Sequence, residues 1–373
     1  MTDGTREQIE IKSLIRPHLV GIPGYAPVEP IDVVARRLGL RPEEISKLDG
    51  NENLYGASPK VAERLARFDQ YHIYPDPAQR AMREAIGAYI GADPEQIMLG
   101  TGSDEMLDLT ARLFVSPGET VVNCPPSFGM YEFLASVYNA RLVGVPRNED
   151  FTLDMAAVES ALAAGAKLMY LASPNNPTGN VLPRDQLLRL LEYPVAIVID
   201  EAYAEFAGET SVSLVSEREN LIVVRTFSKW AGLAGLRAGY AVMPPALAEV
   251  AWNVKIPYNQ SVSSEQAILA SLEDKDLLLE RVRMIVEERE RLFGLLQGLP
   301  FLRPFPSTAN FILCEVRGVP AKDVRDRLRE RGILIRYFDS AGLRNCVRVS
   351  VGLAKDTDRV VDALKEVGAT IGK

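Results

Sequence analysis

From about residue 78 onward the chain repeats one pattern: a short apolar run, a turn, a helical stretch, then another short apolar run. The runs are Ile97–Leu99, Thr120–Asn123, Arg141–Val145, Leu168–Leu171, Val195–Ile199, Leu221–Arg225 and Gly239–Val242. Helical stretches between them include Asp104–Phe114, Met130–Tyr138, Met155–Ala163 and Arg184–Leu191. Strands that alternate with helices are joined by crossovers, and crossovers build a mostly parallel sheet with helices on its faces. Val195–Ile199 carries no polar side chain, as a strand buried on both faces requires. The expected architecture is α/β, with a mostly parallel seven-stranded sheet.

After Pro257 the texture changes. Val262–Gln297 reads as one helix, with a charged stretch at Glu280–Arg291 that fits a solvated face. Then follow strand Asn310–Cys314, helix Ala321–Glu330, strands Ile333–Arg336 and Cys346–Val351, and helix Asp356–Glu366. This is a smaller α+β unit. Residues 1–45, rich in Pro and Gly, read as an arm lying on something else, with a short helix at Ile31–Leu38.

Composition removes several classes of function. With 373 residues, 47% hydrophobic and 25% charged, the chain can bury a large core and is not expected to be disordered. Its 42 Lys+Arg against 50 Asp+Glu give a net charge of −8, with no basic block, which argues against nucleic-acid or anionic-membrane partners. No segment is long and apolar enough to span a bilayer, and Met1–Glu10 shows no secretory signal. Three scattered cysteines, Cys124, Cys314 and Cys346, point to a reducing, cytoplasmic location. His18 and His72 are the whole histidine supply, and neither has a second His or Cys at ligand spacing, so no metal site is expected. His72 reads as a surface or interface residue. A histidine-based hydrolase is equally poorly served, since no G-x-S-x-G elbow is present.

Four segments at successive strand ends carry chemistry. Arg225-Thr226-Phe227-Ser228-Lys229 follows an apolar strand, with Gly232, Gly235, Arg237 and Gly239 close behind. Open α/β sheets bind ligands at such ends. Lys229 can form a Schiff base with an aldehyde cofactor, and Thr226, Ser228 and Arg237 can hold its phosphate. A surface lysine in a Gly-rich turn fits the segment as well. Asp200 ends a buried strand, a costly place for a carboxylate without a cation. A protonated pyridine nitrogen would serve. So would a simple helix N-cap role. Tyr203, one turn on, can reach a phenolic oxygen. In Ser173–Gly179, Asn176 can donate to a cofactor oxygen, or the segment is only a tight loop. Gly100–Glu105 begins like a dinucleotide fingerprint, but Glu105 replaces the third glycine, leaving a turn that opens a helix and can bind an anion. Phe128 can stack on a planar group or fill the core.

Together, and in this order, these segments resemble those of fold type I PLP-dependent aminotransferases, over nearly the whole chain. The similarity is greatest to the histidinol-phosphate aminotransferase family, whose patterns match Lys47–Asn53, Tyr74-Pro75-Asp76, Pro126–Tyr131, Ser173–Gly179, Arg225–Tyr240, Ser307–Phe311 and Arg348–Gly352. Gly50 and Leu54 stand where that family usually has Ala and Pro, and Trp230 where Ala is common. The resemblance implies residues 1–49 as an arm and part of a small domain, 50–257 as a large PLP-binding domain and 258–373 as a small C-terminal domain.

It further implies that Lys229 carries pyridoxal 5'-phosphate and moves the proton, that Asp200 keeps the ring nitrogen protonated, and that Asn176 and Tyr203 hold the phenolic oxygen. Gly102, Ser103, Asp104, Thr226, Ser228 and Arg237 would hold the phosphate, and Phe128 would stack on the ring. Tyr74 would reach across from the second subunit of a homodimer. Arg348 and Arg336 would bind substrate anions, each having a surface ion pair as its plainer explanation, and Tyr25 and Asn53 would close the pocket. The activity implied is transfer of an amino group from glutamate to imidazole-acetol phosphate, in histidine biosynthesis. An aromatic amino acid aminotransferase and a phosphothreonine decarboxylase of cobalamin synthesis share the same motifs. A PLP-binding regulator without turnover would need a DNA-binding domain, for which an arm of this length and composition is unsuited.

Overall fold

The computed structural model describes residues 10–25 and 27–371. Its strands in chain order are β1 (Ser46–Leu48), β2 (Ile97–Thr101), β3 (Thr120–Asn123), β4 (Arg141–Gly144), β5 (Ala166–Ala172), β6 (Ala196–Asp200), β7 (Leu221–Thr226), β8 (Ala238–Val242), β9 (Leu302–Pro304), β10 (Phe311–Val316), β11 (Ile333–Tyr337) and β12 (Cys346–Ser350). Seven of them form one sheet in the order β2-β8-β7-β6-β5-β3-β4. Pairs β3–β4, β3–β5, β5–β6 and β6–β7 are parallel, while β8 is antiparallel to both β2 and β7. Two reversals leave β2 parallel to β7. The C-terminal ends of β2, β5, β6 and β7 therefore lie along one edge.

Both faces of this sheet are buried. Leu99, Leu171, Ile197, Ile199 and Val223 pack into one apolar cluster, and Met98, Tyr170, Val198, Ile222 and Val224 into another. That is the period-two alternation of a strand, with helices covering each side. The second sheet has the order β1-β11-β12-β10-β9. Its edge strand comes from the N-terminal segment: Ser46–Leu48 pairs in parallel with Ile333–Ile335. The segment just after the arm thus completes the small sheet, as expected if residues 1–49 include part of the small domain.

One expected element is broken. Val262–Gln297 is two helices, Val262–Glu273 and Lys275–Gln297, parted at Asp274. The carboxylate of Asp274 accepts from the Ser58 hydroxyl and lies 3.3 Å from Lys60 Nζ. It is tied to the start of helix Pro59–Arg67, and that tie outweighs helix continuity. The short strands β1 and β9 carry too few residues for a readable pattern. Among the described residues no helix is long and apolar enough to cross a membrane, and the three cysteines are free and buried.

Candidate active site

Asp200 is the last residue of β6 and is 5% exposed. Tyr131 donates its hydroxyl to Oδ2 at 3.0 Å, and the Ala202 N–H donates to Oδ1 at 3.1 Å. Among the described residues no cation stands against it. Burial pushes its pKa up to about 6, with the Tyr131 hydrogen bond holding it down against that push. Tyr131 itself is stacked on Tyr170, ring centroids 5.1 Å apart. Tyr131 lies inside the motif Pro126–Tyr131, but sequence reasoning gave it no role. A buried phenol one helical step beyond a strand-end turn was the available signal.

Lys229 follows β7. Its Nζ donates to the Gly50 carbonyl at 3.1 Å and lies 5.9 Å from the centre of the Tyr203 ring. Burial, then the charge of Arg348, pull its pKa down to about 8. The Tyr203 hydroxyl accepts from Asn51 Nδ2 at 3.0 Å, and burial pushes the phenol up to about 12. Asn51 is the second residue that sequence reasoning passed over. Its backbone sits in the left-handed region (φ 53°), and Ser350 of β12 and Asn310, just before β10, fix it. Asn53 donates to the Trp230 carbonyl at 2.9 Å and accepts from the Tyr55 N–H. Both ends of its amide bind backbone, so it holds the segment after Lys229.

A polar floor lies between β2 and β7. Gly102 (φ 83°) precedes helix Ser103–Phe114, and Arg237 Nη2 reaches Asp104 Oδ2 at 3.0 Å. The hydroxyls of Thr226 and Ser228 are 2.9 Å apart. Two glycines make the floor possible. A Cβ on Gly239 would stand 2.3 Å from the Ser103 nitrogen, and one on Gly102 would stand 2.5 Å from Arg237 Nη2. A helix start, two hydroxyls and a guanidinium form a donor set for phosphate.

The other wall comes from the small sheet. Arg348 on β12 is buried; Nη1 donates to Asn176 Oδ1 at 2.6 Å and Nη2 to the Asp49 carbonyl at 2.7 Å. Among the described residues its Nε is buried without a partner. Burial pulls its pKa down to about 10. Arg336 on β11 is its register partner. Tyr25, whose hydroxyl burial raises, feels both arginines and Asp104. Its ring meets Phe128 edge-on at 6.1 Å, and Phe128 meets Tyr131 the same way at 5.7 Å. Tyr25, Phe128, Tyr131 and Asp200 thus form one connected wall. Tyr74 stands apart. It is 78% exposed and packs on Tyr258, with ring centres 4.7 Å apart. Among the described residues no group of three His, Cys, Asp or Glu could hold a metal ion.

A lysine amine of lowered pKa, a buried strand-end carboxylate, a donor set suited to phosphate and a buried arginine are the groups of an amino-group transferase site on this fold. The chain belongs to the aminotransferase class I and II family, whose model matches residues 43–364. It is similar to the histidinol-phosphate aminotransferase of Roseiflexus castenholzii, 48% identical over 96% of this chain and 99% of that protein. It is also similar to histidinol-phosphate aminotransferase 1, chloroplastic, of Arabidopsis thaliana, 45% identical over 95% of this chain and 86% of that one. Among solved structures, the histidinol-phosphate aminotransferase of Sinorhizobium meliloti in complex with pyridoxal-5'-phosphate superposes with a TM-score of 0.88, at 29% identity, covering 96% of this chain and 98% of that one.

Proposed function

We propose that this chain is a PLP-dependent transaminase that moves an amino group from glutamate to imidazole-acetol phosphate, giving histidinol phosphate and 2-oxoglutarate in histidine biosynthesis. The observation that carries the reading is the buried Asp200 carboxylate, which no cation in the described chain offsets. A protonated pyridine nitrogen fits that place. The residues would hold the cofactor as follows: Asp200 at the ring nitrogen, Asn176 and Tyr203 at the phenolic oxygen, Phe128 on the ring face, and Gly102, Ser103, Asp104, Thr226, Ser228 and Arg237 at the phosphate. Bound there, PLP supplies an electron sink for the charge left when a substrate Cα–H is broken.

The chain's own groups do the rest. Lys229, with its depressed pKa, would hold the cofactor through its aldehyde carbon as a neutral amine, with loss of water, and, once the substrate amine has displaced it, would carry the proton off the substrate carbon. Arg348, whose Nη1 donates to Asn176 Oδ1, would bind the substrate carboxylate or phosphate next to the residue that would hold the cofactor oxygen. Arg336 adds a second cation for a dianionic phosphate. Tyr25 and Phe128 enclose a flat ring.

The reading includes a cytoplasmic homodimer. Tyr71, Ile73, Tyr74, Ile256 and Tyr258 are all exposed, an apolar surface of the kind a second copy covers, and Tyr74 would reach the neighbour's cofactor. The division into 1–49, 50–257 and 258–373 is supported by the two sheets, with β1 the arm's share of the small one. The test is a half-reaction screen. The amine-loaded protein is mixed with imidazole-acetol phosphate, phenylpyruvate and 2-oxoglutarate. Recovery of the aldehyde form should be fastest with imidazole-acetol phosphate. Faster recovery with phenylpyruvate would make it an aromatic aminotransferase, and carbon dioxide release from phosphothreonine a decarboxylase.

A further inference from the structure

Where the loop after β5 meets the segment leading into β10, the structure holds a cleft of about 290 Å³. Its walls are mostly apolar, with Leu153, Leu171, Leu182 and Pro306 among them, and Arg147 and Thr308 also line it. None of its lining residues is a cofactor or substrate candidate of the active site. We propose that this cleft is a second ligand site, for a small carboxylate with a compact aromatic body.

Arg147 is the basis. Its Nε and Nη1 donate to the carbonyls of Cys124 and Phe151, each at 3.1 Å. Carbonyls satisfy N–H groups but do not neutralise a charge. No carboxylate pairs with this guanidinium among the described residues, and burial pulls its pKa down. An uncompensated cation beside apolar walls is costly. A ligand carboxylate restores the balance through charge-assisted hydrogen bonds. Size fixes the rest of the ligand. A dry cavity of roughly 150 Å³ takes up benzene. The space here suits one ring plus a short carboxylate arm, and is too small for a substrate the size of a nucleotide.

The cleft also lies on a mechanical seam. The Thr308 N–H and hydroxyl both donate to the Gly179 carbonyl, at 2.8 and 2.9 Å. Gly179 is in the loop that carries Asn176, the partner of Arg348. At Gly179 a Cβ would stand 2.3 Å from Ser307 Oγ, so the two segments are in close contact. A ligand in the cleft therefore braces the active-site loop against the small sheet.

The experiment is calorimetric titration of the purified protein with phenylacetate and with its neutral analogue phenylacetamide. Phenylacetate should bind saturably and about 10- to 100-fold more tightly than the amide. Arg147→Gln should remove that preference while leaving amide binding unchanged. Leu182→Trp, which fills the cleft, should abolish binding of both. Arg348→Gln should leave phenylacetate binding intact. No saturable binding to the unsubstituted protein would overturn the proposal, as would equal affinity for acid and amide. Loss in Arg348→Gln with retention in Arg147→Gln would place the ligand in the active site and overturn it too.

Discussion

Arg336 and Arg348 are register partners across β11 and β12, and their guanidinium carbons lie 5.8 and 5.7 Å from the centre of one ring, Phe338. Two cations beside one ring repel one another, and after burial, the largest cause, the charge of Arg336 also lowers the pKa of Arg348. An anion between them removes the repulsion. The more charge it carries, the more it gains from the second cation. Arg336→Gln should therefore slow the half-reaction with histidinol phosphate by about 10- to 100-fold in kcat/KM, the value of one charge-assisted hydrogen bond. The half-reaction with phenylalanine, with a single negative charge there, should suffer less. Single-turnover rates with each donor decide it. Equal losses would make Arg336 structural.

The depressed pKa of Lys229 has a direct readout. A lysine attacks an aldehyde only as the neutral amine. When cofactor-stripped protein is mixed with PLP, the rate of forming the lysine-linked chromophore should rise with pH and be half-maximal near pH 8, not near the ordinary lysine value of 10.5. Arg348 contributes to the depression, so Arg348→Gln should move the midpoint upward. Lys229→Ala should form no linked chromophore at any pH, and transamination should be lost.

The buried carboxylate of Asp200 should cost the cofactor-free protein stability. Its folded pKa is raised from 3.8 to about 6, so the folded state holds the proton more tightly than the unfolded chain. Stability of the cofactor-free protein should therefore fall as pH rises from about 4 to 6, and the penalty is fully present above that window. Its size is on the order of 2–3 kcal/mol. Asp200→Asn should raise the Tm of the cofactor-free protein at pH 7.5 while removing most of the activity of the loaded enzyme. Unchanged turnover would contradict the role of the carboxylate. A lower Tm would mean that Tyr131 and Ala202 already compensate for its burial.

The strand-end placement of the candidate site residues was legible because it is local. Asp200, Lys229, Asn176 and Arg237 each sit just beyond an apolar run or inside a short motif, and the sheet brings those ends to one edge. Asn51 and Tyr131 were not legible as participants, although both lie within recognised motifs. Their roles depend on what faces them, Tyr203 and Asp200, across 152 and 69 residues of sequence. Asn53 shows the reverse. Its motif suggested a pocket residue, and its amide is bonded to the backbone at Trp230 and Tyr55. The break at Asp274 was hidden for the same reason, since it depends on Ser58 and Lys60.

We propose that Tyr74 acts on a second copy. Within its own chain it packs on Tyr258 and is largely exposed. Tyr74→Ala and Lys229→Ala proteins should each be nearly inactive. Mixed dimers would place both defects in one site and leave the other intact, and random re-pairing of an equal mixture makes half of the dimers mixed, so activity should return to about a quarter of the unsubstituted level. No recovery, with subunit exchange demonstrated by a tag pull-down, would assign Tyr74 to its own subunit or to no site.

The most direct test of the central claim is stopped-flow loss of the lysine-linked PLP absorbance when the loaded enzyme meets one donor at a time. Histidinol phosphate and glutamate should each discharge it in a single turnover, with histidinol phosphate at least tenfold faster in kcat/KM than phenylalanine, and phosphothreonine should release no carbon dioxide. A faster reaction with phenylalanine, or no reaction with histidinol phosphate, would contradict the assignment.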